Sequence, residues 1–195
     1  MLLKRIVLLI LLISLSLTSC TLSSDQKLLA KIQKTYDEYK GYKCRAHINI
    51  YSGEEPSSYL IEESYTGSEE YRLEILEPKE SKGIIILNTN DKIFIEHPSI
   101  EQSISLIAVK SLNKQLIIGD FFEDIYKAHL LGTEKIDNLE YLVFEFQLEE
   151  QNKYRDTAKI WIKKKGFIPY KLNIYDDSDK LKVEIIYESF KFIKN

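Results

Sequence analysis

The spacing of hydrophobic residues changes along this chain, and each spacing predicts a different kind of element. From Asp25 to Gly41, apolar residues recur every three or four positions, which predicts an amphipathic helix with Ser24 or Asp25 as its N-cap. Residues 46–50 and 71–75 instead alternate between apolar and polar side chains. Such alternation predicts strands with one face in the core and the other in water.

The central part of the chain continues the strand pattern and departs from it once. A continuous apolar strand over residues 82–87, a polar turn cluster and a strand over residues 93–95 together predict a hairpin. Another strand is predicted around residues 103–109. Residues 116–127 then carry apolar side chains at helical spacing, although Gly119 within that stripe argues against one straight helix.

The C-terminal third returns to strands separated by short polar turns. The predicted strands there cover residues 141–148, 154–162, 167–175 and 181–192. In all, the pattern predicts about ten antiparallel strands in meander order, with one helix before them and one helical insertion. Because a twisted sheet of that length curls, the predicted fold class is α+β. It is a curved antiparallel half-barrel sheet of about ten strands with helices covering the concave face.

The first twenty residues have the pattern of a bacterial lipoprotein signal. Lys4 and Arg5 precede an apolar core of about a dozen residues, which is shorter than the roughly 20 residues that span a bilayer. The small residues Thr18 and Ser19 fit a narrow protease site, and Cys20 resembles the lipid acceptor of a lipobox. We therefore predict lipid attachment at Cys20, with a non-lipidated secretory peptide as the alternative.

This signal defines the predicted organisation of the chain. Residues 1–20 form the signal peptide, residues 21–24 a short tether and residues 25–195 one domain, held by lipid on the extracytoplasmic face of the cell membrane. Loss of the signal removes two cations and no anion, so that 25 Lys and Arg face 30 Asp and Glu and the net charge is −5. An acidic domain of this kind is a poor binder of nucleic acid.

Cys44 is the one thiol that remains if Cys20 carries lipid. An odd cysteine in an exported protein is either a buried, inert thiol or half of an intermolecular disulfide. The second alternative would make the chain a homodimer. Free cysteine is among the most buried residue types, which favours the first alternative.

The residues that carry catalysis or bind metals in other proteins form no recognisable pattern here. His47, His97 and His129 are far apart and have no paired spacing, so the sequence does not support a metal site. Adjacent carboxylates such as Glu62 and Glu63 point to opposite faces of a strand and cannot form an acid–base pair. We interpret them as part of a solvated outer face, and we predict no enzymatic activity and no cofactor.

A run of three lysines at positions 163–165, followed by Gly166, is the one basic run of the chain. Such a run contacts anionic lipid or glycan phosphate in some proteins. In others it is a hairpin tip kept soluble by its charge, and we favour this second interpretation because lysines protect sheet edges from pairing.

Two segments of the chain resemble the LolA/LolB-like lipoprotein superfamily. Residues 72–105 are similar to that family's succession of strand, proline, glycine, strand, Asn-Asp turn, strand and His-Pro. Residues 158–172 look like the beginning of the family's last three strands, with Pro169 in the same register. An acidic turn and a closing segment over residues 186–190 complete the likeness. Within the superfamily, the lipobox and the size are most similar to the germination lipoproteins of clostridia.

That resemblance implies a membrane-anchored, non-enzymatic lipoprotein with a role in spore germination. Its partner would be a protein, a spore cortex-modifying amidase, at a forespore or spore membrane. The alternative is a protein that binds or sorts lipids or lipoprotein acyl chains in an open hydrophobic concavity, which some of the 13 Tyr and 8 Phe would line. A cell-wall hydrolase is the least favoured function.

Overall fold

Strands with alternating apolar and polar residues account for most of this computed structural model, which describes residues 24–53, 55–66, 70–89, 92–99, 104–107, 118–152 and 155–194. The helical elements are α1 (Ser24–Asp37), α2 (Ile118–Glu123) and a 3-10 helix (Ile125–Lys127). The strands are β1 (Tyr39–Ile50), β2 (Ser57–Thr66), β3 (Glu70–Glu77), β4 (Ile85–Thr89), β5 (Lys92–Glu96), β6 (Ile104–Ile107), β7 (His129–Ile136), β8 (Leu139–Asn152), β9 (Arg155–Lys163), β10 (Ile168–Tyr175), β11 (Leu181–Tyr187) and β12 (Lys191–Lys194). The predicted signal peptide, with Cys20, lies outside the described residues.

The described strands form a single open antiparallel sheet made of two meanders. Its order is β6-β5-β4-β3-β2-β1-β11-β10-β9-β8-β7, and β12 also pairs with β1. The two meanders meet where β1 pairs with β11, for example at Ala46 opposite Tyr187. As a result β6 and β7, which follow each other in the chain, lie at opposite edges of the sheet. A single meander, as predicted, would have placed them side by side.

The main core lies on one face of the sheet, between the strands and the helical segments. Along β1, Tyr42, Cys44 and Ala46 are buried, whereas the residues between them face outward. Ile32 of α1 and Phe122 of α2 belong to the same buried cluster as these strand residues. The predicted α+β antiparallel half-barrel is therefore confirmed. None of the helices in the described residues is long and apolar enough to cross a bilayer.

The bounds of several elements differ from the prediction for identifiable reasons. Helix α1 ends at Asp37 and not at Gly41, because the chain enters β1 at Tyr39. Gly41 lies where a Cβ would come within 2.0 Å of the carbonyl oxygen of Tyr65, so this close approach of β1 and β2 requires a glycine. Strands β2 and β7 lie where the sequence pattern predicts none, and the predicted strand over residues 181–192 is split into β11 and β12.

Candidate functional site

A pocket of about 230 Å³ opens between the C-terminal end of α1, α2 and the strands β1, β2 and β12. Most of its wall is aromatic, and we call it the aromatic pocket. Its ring-bearing residues are Tyr36, Tyr39, Tyr42, Tyr65, Phe122 and Phe192. The short connection between α1 and β1 brings Tyr36, Tyr39 and Tyr42 into this one wall, and the pairing of β2 with β1 adds Tyr65.

The rings of the pocket pack against one another and fix its shape. The ring centroids of Tyr36 and Phe122 are 4.1 Å apart, and those of Tyr39 and Phe192 are 4.4 Å apart in a stacked arrangement. Phe190 stacks on Tyr42 from the side of the C-terminal segment, at 5.0 Å. Each such pair contributes about 0.5–1.5 kcal/mol beyond its buried area. The pairing of β12 with β1 is therefore what completes the pocket.

Polar groups lie at the rim of the pocket. Gln33 donates a hydrogen bond from Nε2 to Oδ1 of Asp37 over 2.8 Å, and Lys40 is exposed beside them. The Oε1 atom of Gln33 is buried and accepts no hydrogen bond from any described residue. A buried acceptor without a partner costs about 1–3 kcal/mol.

Glu63 is a buried carboxylic acid next to the pocket, and the interpretation of this residue as part of a solvated face was wrong. The pairing of β2 with β1 sets Glu63 opposite Cys44 on the core face, where 2% of it is exposed. Its neighbour Glu62 points outward and binds Lys43 over 2.9 Å, which lowers the pKa of Glu62. Burial raises the pKa of Glu63 to about 7, and a hydrogen bond from Tyr42 lowers it in part.

Tyr42 connects Glu63 with the pocket and with α2. Its hydroxyl donates to Oε1 of Glu63 and accepts a hydrogen bond from the backbone N–H of Gly119 over 3.3 Å. Burial, and then the nearby Glu63, raise the pKa of Tyr42. The buried carboxyl group, the phenol and the backbone of α2 thus form one continuous buried hydrogen-bonded chain at the pocket wall.

Cys44 lies in the main core with 2% of its surface exposed, and it is a free thiol. Burial raises its pKa, so the thiolate that attacks disulfides is disfavoured. Both observations favour the inert-thiol alternative. A disulfide between two chains at Cys44 stays a prediction, and in this fold it requires the side chain to leave the core.

The other residues that the sequence singled out are spread over the sheet. His47 contacts Glu188 on the outer face over 2.7 Å, and His97 accepts a hydrogen bond from the backbone of Ser99. His129 begins the edge strand β7. Among the described residues, no group of three or more His, Cys, Asp or Glu side chains is arranged to hold a metal ion.

The open sheet, the helices on one of its faces and the pocket between them give this chain a LolA-like fold. The family model described as "Sporulation protein YdcC-like" matches residues 1–195, and the chain belongs to this family. The sporulation protein YdcC of Bacillus subtilis (strain 168) is 26% identical over 183 residues, which are 92% of this chain. The chain spans only 54% of that relative's length.

Two solved structures show the same fold. The structure of the CwlD amidase from Clostridioides difficile in complex with the GerS lipoprotein contains a chain that is 22% identical, with a TM-score of 0.53, over 89% of this chain and 99% of that one. A Vibrio parahaemolyticus domain described as an outer membrane lipoprotein-sorting protein is 14% identical, with a TM-score of 0.50, over 86% and 91% of the two chains. The resemblance seen in the sequence is therefore confirmed at the level of the fold.

Proposed function

We propose that this protein is a non-enzymatic lipoprotein of sporulating cells that holds a protein partner at a membrane. The observation that carries the proposal is the aromatic pocket. Tyrosine and other aromatic residues are enriched at the centres of protein interfaces, where they are surrounded by polar rims. The pocket has this composition, with six rings in its wall and Gln33, Asp37 and Lys40 at its rim.

We propose a cell-wall amidase that modifies the spore cortex as the partner. Two facts support this choice: the chain belongs to a sporulation family, and its fold is shared with a structure in which an amidase is bound to a lipoprotein. A side chain of the amidase would enter the aromatic pocket and pack against its rings.

The membrane anchor is the second part of the proposal. The signal pattern that ends at Cys20 supports lipid attachment there, and it supports a location on the extracytoplasmic face of a cell or forespore membrane. Two or three acyl chains give a stable anchor where one gives reversible binding.

The size of the pocket favours a partner side chain over an acyl chain. Pockets that enclose a small ligand have volumes of about 300–1,000 Å³, and the aromatic pocket is smaller, at about 230 Å³. Native mass spectrometry of the purified lipoprotein distinguishes the two functions, since a lipid carrier would retain a hydrophobic ligand and a partner-binding protein would be empty.

The binding function can be tested by titrating the purified amidase from the same organism against three forms of the protein. Tyr39→Ala removes a half-buried ring of the pocket that stacks on Phe192. Tyr126→Ala is the matched control, because Tyr126 is 62% exposed and does not line the pocket. We expect Tyr39→Ala to raise the Kd at least about tenfold, as for an interface hot spot, and Tyr126→Ala to leave it unchanged. Equal Kd values for all three forms would refute binding through the pocket.

A further inference from the structure

A second apolar cluster lies on the face of the sheet opposite the core, over β8, β9 and β10. Its main rings, Tyr141 and Trp161, alternate along their strands with residues of the core, and Tyr170 packs 4.7 Å from Tyr141. Lys171 places its Nζ atom 3.9 Å from the centre of the Trp161 ring, in a cation–π contact. We call Tyr141, Trp161 and Tyr170 the outer aromatic face.

Exposed aliphatic and basic side chains border this face at the β9–β10 turn. Leu139 and Ile168 are large apolar residues that are 41% and 36% exposed. Lys163 is paired with Ile168 in the ladder, and Lys164 and Lys165 follow in the turn, both exposed. Tyr141 and Trp161 themselves are only 5% and 6% exposed, so the accessible surface here is this border of lysine and aliphatic side chains. Basic and apolar side chains combined in this way are typical of segments that lie in a membrane interface.

The charge of the turn is only partly neutralised by the protein. Lys164 binds Glu140 over 3.1 Å. Lys163 and Lys165 form an ion pair with no carboxylate of the described residues, although the whole chain has a net charge of −3. Two free cations beside exposed apolar residues attract an anionic, partly apolar surface.

The same turn lies against the helix that begins close to the predicted lipid. Tyr36 of α1 donates from its hydroxyl to the carbonyl oxygen of Phe167 over 2.9 Å, and Nζ of Lys31 is 5.7 Å from the ring of Phe167. Lys31 is seven residues after Ser24, and Cys20 is four residues before it. These segments extend about 10 Å as helix and at most about 14 Å as extended chain. A lipid on Cys20 therefore keeps the bilayer within about 25 Å of Lys31.

We infer that the β9–β10 turn and the exposed border of the outer aromatic face bind the surface of an anionic phospholipid bilayer and so orient the anchored domain. This inference rests on the lipid anchor proposed above. It reverses the interpretation of residues 163–165 as a mere solubilising hairpin tip. The exposed side chains of Leu139 and Ile168 enter the headgroup region, while Lys163 and Lys165 bind lipid phosphates.

Trp161 is the single tryptophan of the chain and lies two residues from Lys163 on the same face, so quenching of its fluorescence reports the approach of lipid to this turn. The full lipoprotein is reconstituted into vesicles of phosphatidylcholine, with or without phosphatidylglycerol, in which the lipids carry bromine as a quencher. We expect quenching of Trp161 that is stronger with phosphatidylglycerol and weaker at high salt. Each lysine changed to glutamine should reduce the membrane-facing population about fivefold.

Ile168→Ser and Ile50→Ser form a matched pair of variants, because both side chains are 36% exposed but only Ile168 borders the turn. Ile168→Ser should reduce quenching and Ile50→Ser should not. If the protein fractionates with the vesicles and Trp161 is not quenched, the inference is wrong while the anchor stands. If the protein does not fractionate with the vesicles at all, the anchor itself fails. If Lys163 and Lys165 variants weaken amidase binding and leave quenching unchanged, the face docks a protein and the inference is overturned.

Discussion

Replacing Glu63 by glutamine should remove much of the dependence of this protein's stability on pH. Burial raises the pKa of Glu63 from 4.5 to about 7. Each pKa unit corresponds to about 1.36 kcal/mol. The raised pKa of Glu63 therefore makes about 3 kcal/mol of the free energy of unfolding depend on pH. Few single groups in a domain of this size can produce so large an effect.

The sign follows from the direction of the shift. Because the pKa of Glu63 is higher in the folded state, the unfolded chain loses this proton first as the pH rises. The stabilisation by neutral Glu63 is therefore complete below pH 4.5, the unfolded value, and is lost progressively up to about pH 7. In the glutamine variant this position is neutral at every pH, and Tyr42 still donates to the side-chain oxygen. A new amide N–H without a partner costs about 1–3 kcal/mol, but it does so equally at each pH.

The assay is urea unfolding followed by the fluorescence of Trp161 at several pH values between about 5 and 8, with the free energy of unfolding obtained by linear extrapolation. Glu62→Gln is the matched control, because Glu62 is the adjacent carboxylate on the outer face. Lys43 lowers the pKa of Glu62, so its contribution is lost only as the pH falls through the acidic range. The wild type and Glu62→Gln should both lose stability from pH 5 to pH 7, and Glu63→Gln should lose much less. A Glu63→Gln variant with the slope of the wild type would refute the account of a buried neutral acid.

Three further substitutions test other parts of the structure. Gly41→Ala should destabilise the fold by about 1–3 kcal/mol through the clash with the backbone of Tyr65, whereas Gly53→Ala, with nothing within 4 Å, should not shift the urea midpoint. Cys20→Ala should move the protein from the membrane to the soluble fraction of fractionated cells, and retention at the membrane would contradict lipid attachment. Cys44→Ser should lower the free energy of unfolding in urea by about 1 kcal/mol or more, because it buries a hydroxyl in the core. Unchanged stability of this variant, together with a dimer of the wild-type protein on non-reducing gels, would show a bridged, accessible thiol instead.

Strands could be predicted from the sequence where all residues on one face are apolar. They could not be predicted where a polar residue interrupts the apolar row. In β2 the inward positions are Ser57, Tyr59, Ile61, Glu63 and Tyr65, which alternate correctly except for the serine and the buried acid. The charged residue in the apolar row hid the strand. Its burial could not be predicted from the sequence, because it depends on the register that brings β1 against it.

The hairpin of β7 and β8 was missed although its turn carries a usable signal. Asp137 and Asn138 both have positive φ, at 47° and 63°, as in the type I′ turns of two-residue hairpins. Asp and Asn tolerate this conformation better than most residues, so an Asp-Asn pair between two apolar runs indicates a hairpin turn. Gly132 in β7 interrupts the alternation with an irregularity in the ladder, which weakened the strand pattern.

Neither the aromatic pocket nor the junction of the two meanders could be predicted from the sequence. Local patterns predict hairpins between neighbours in the chain, but the pairing of β1 with β11 and β12 joins segments more than 130 residues apart. That pairing is what brings Phe192 onto Tyr39 and closes the pocket. Only the abundance of tyrosine and phenylalanine was visible beforehand, and it fits a filled core as well as a binding surface.

Site-specific photo-crosslinking in sporulating cells tests whether the aromatic pocket binds a cell-wall amidase. A photoreactive phenylalanine analogue replaces Tyr39 and, as the control, Tyr126. We expect a covalent adduct with the amidase from position 39, identified by mass spectrometry, and none from position 126. An adduct with lipid alone at position 39, or an amidase adduct of equal yield from position 126, would refute binding through the pocket.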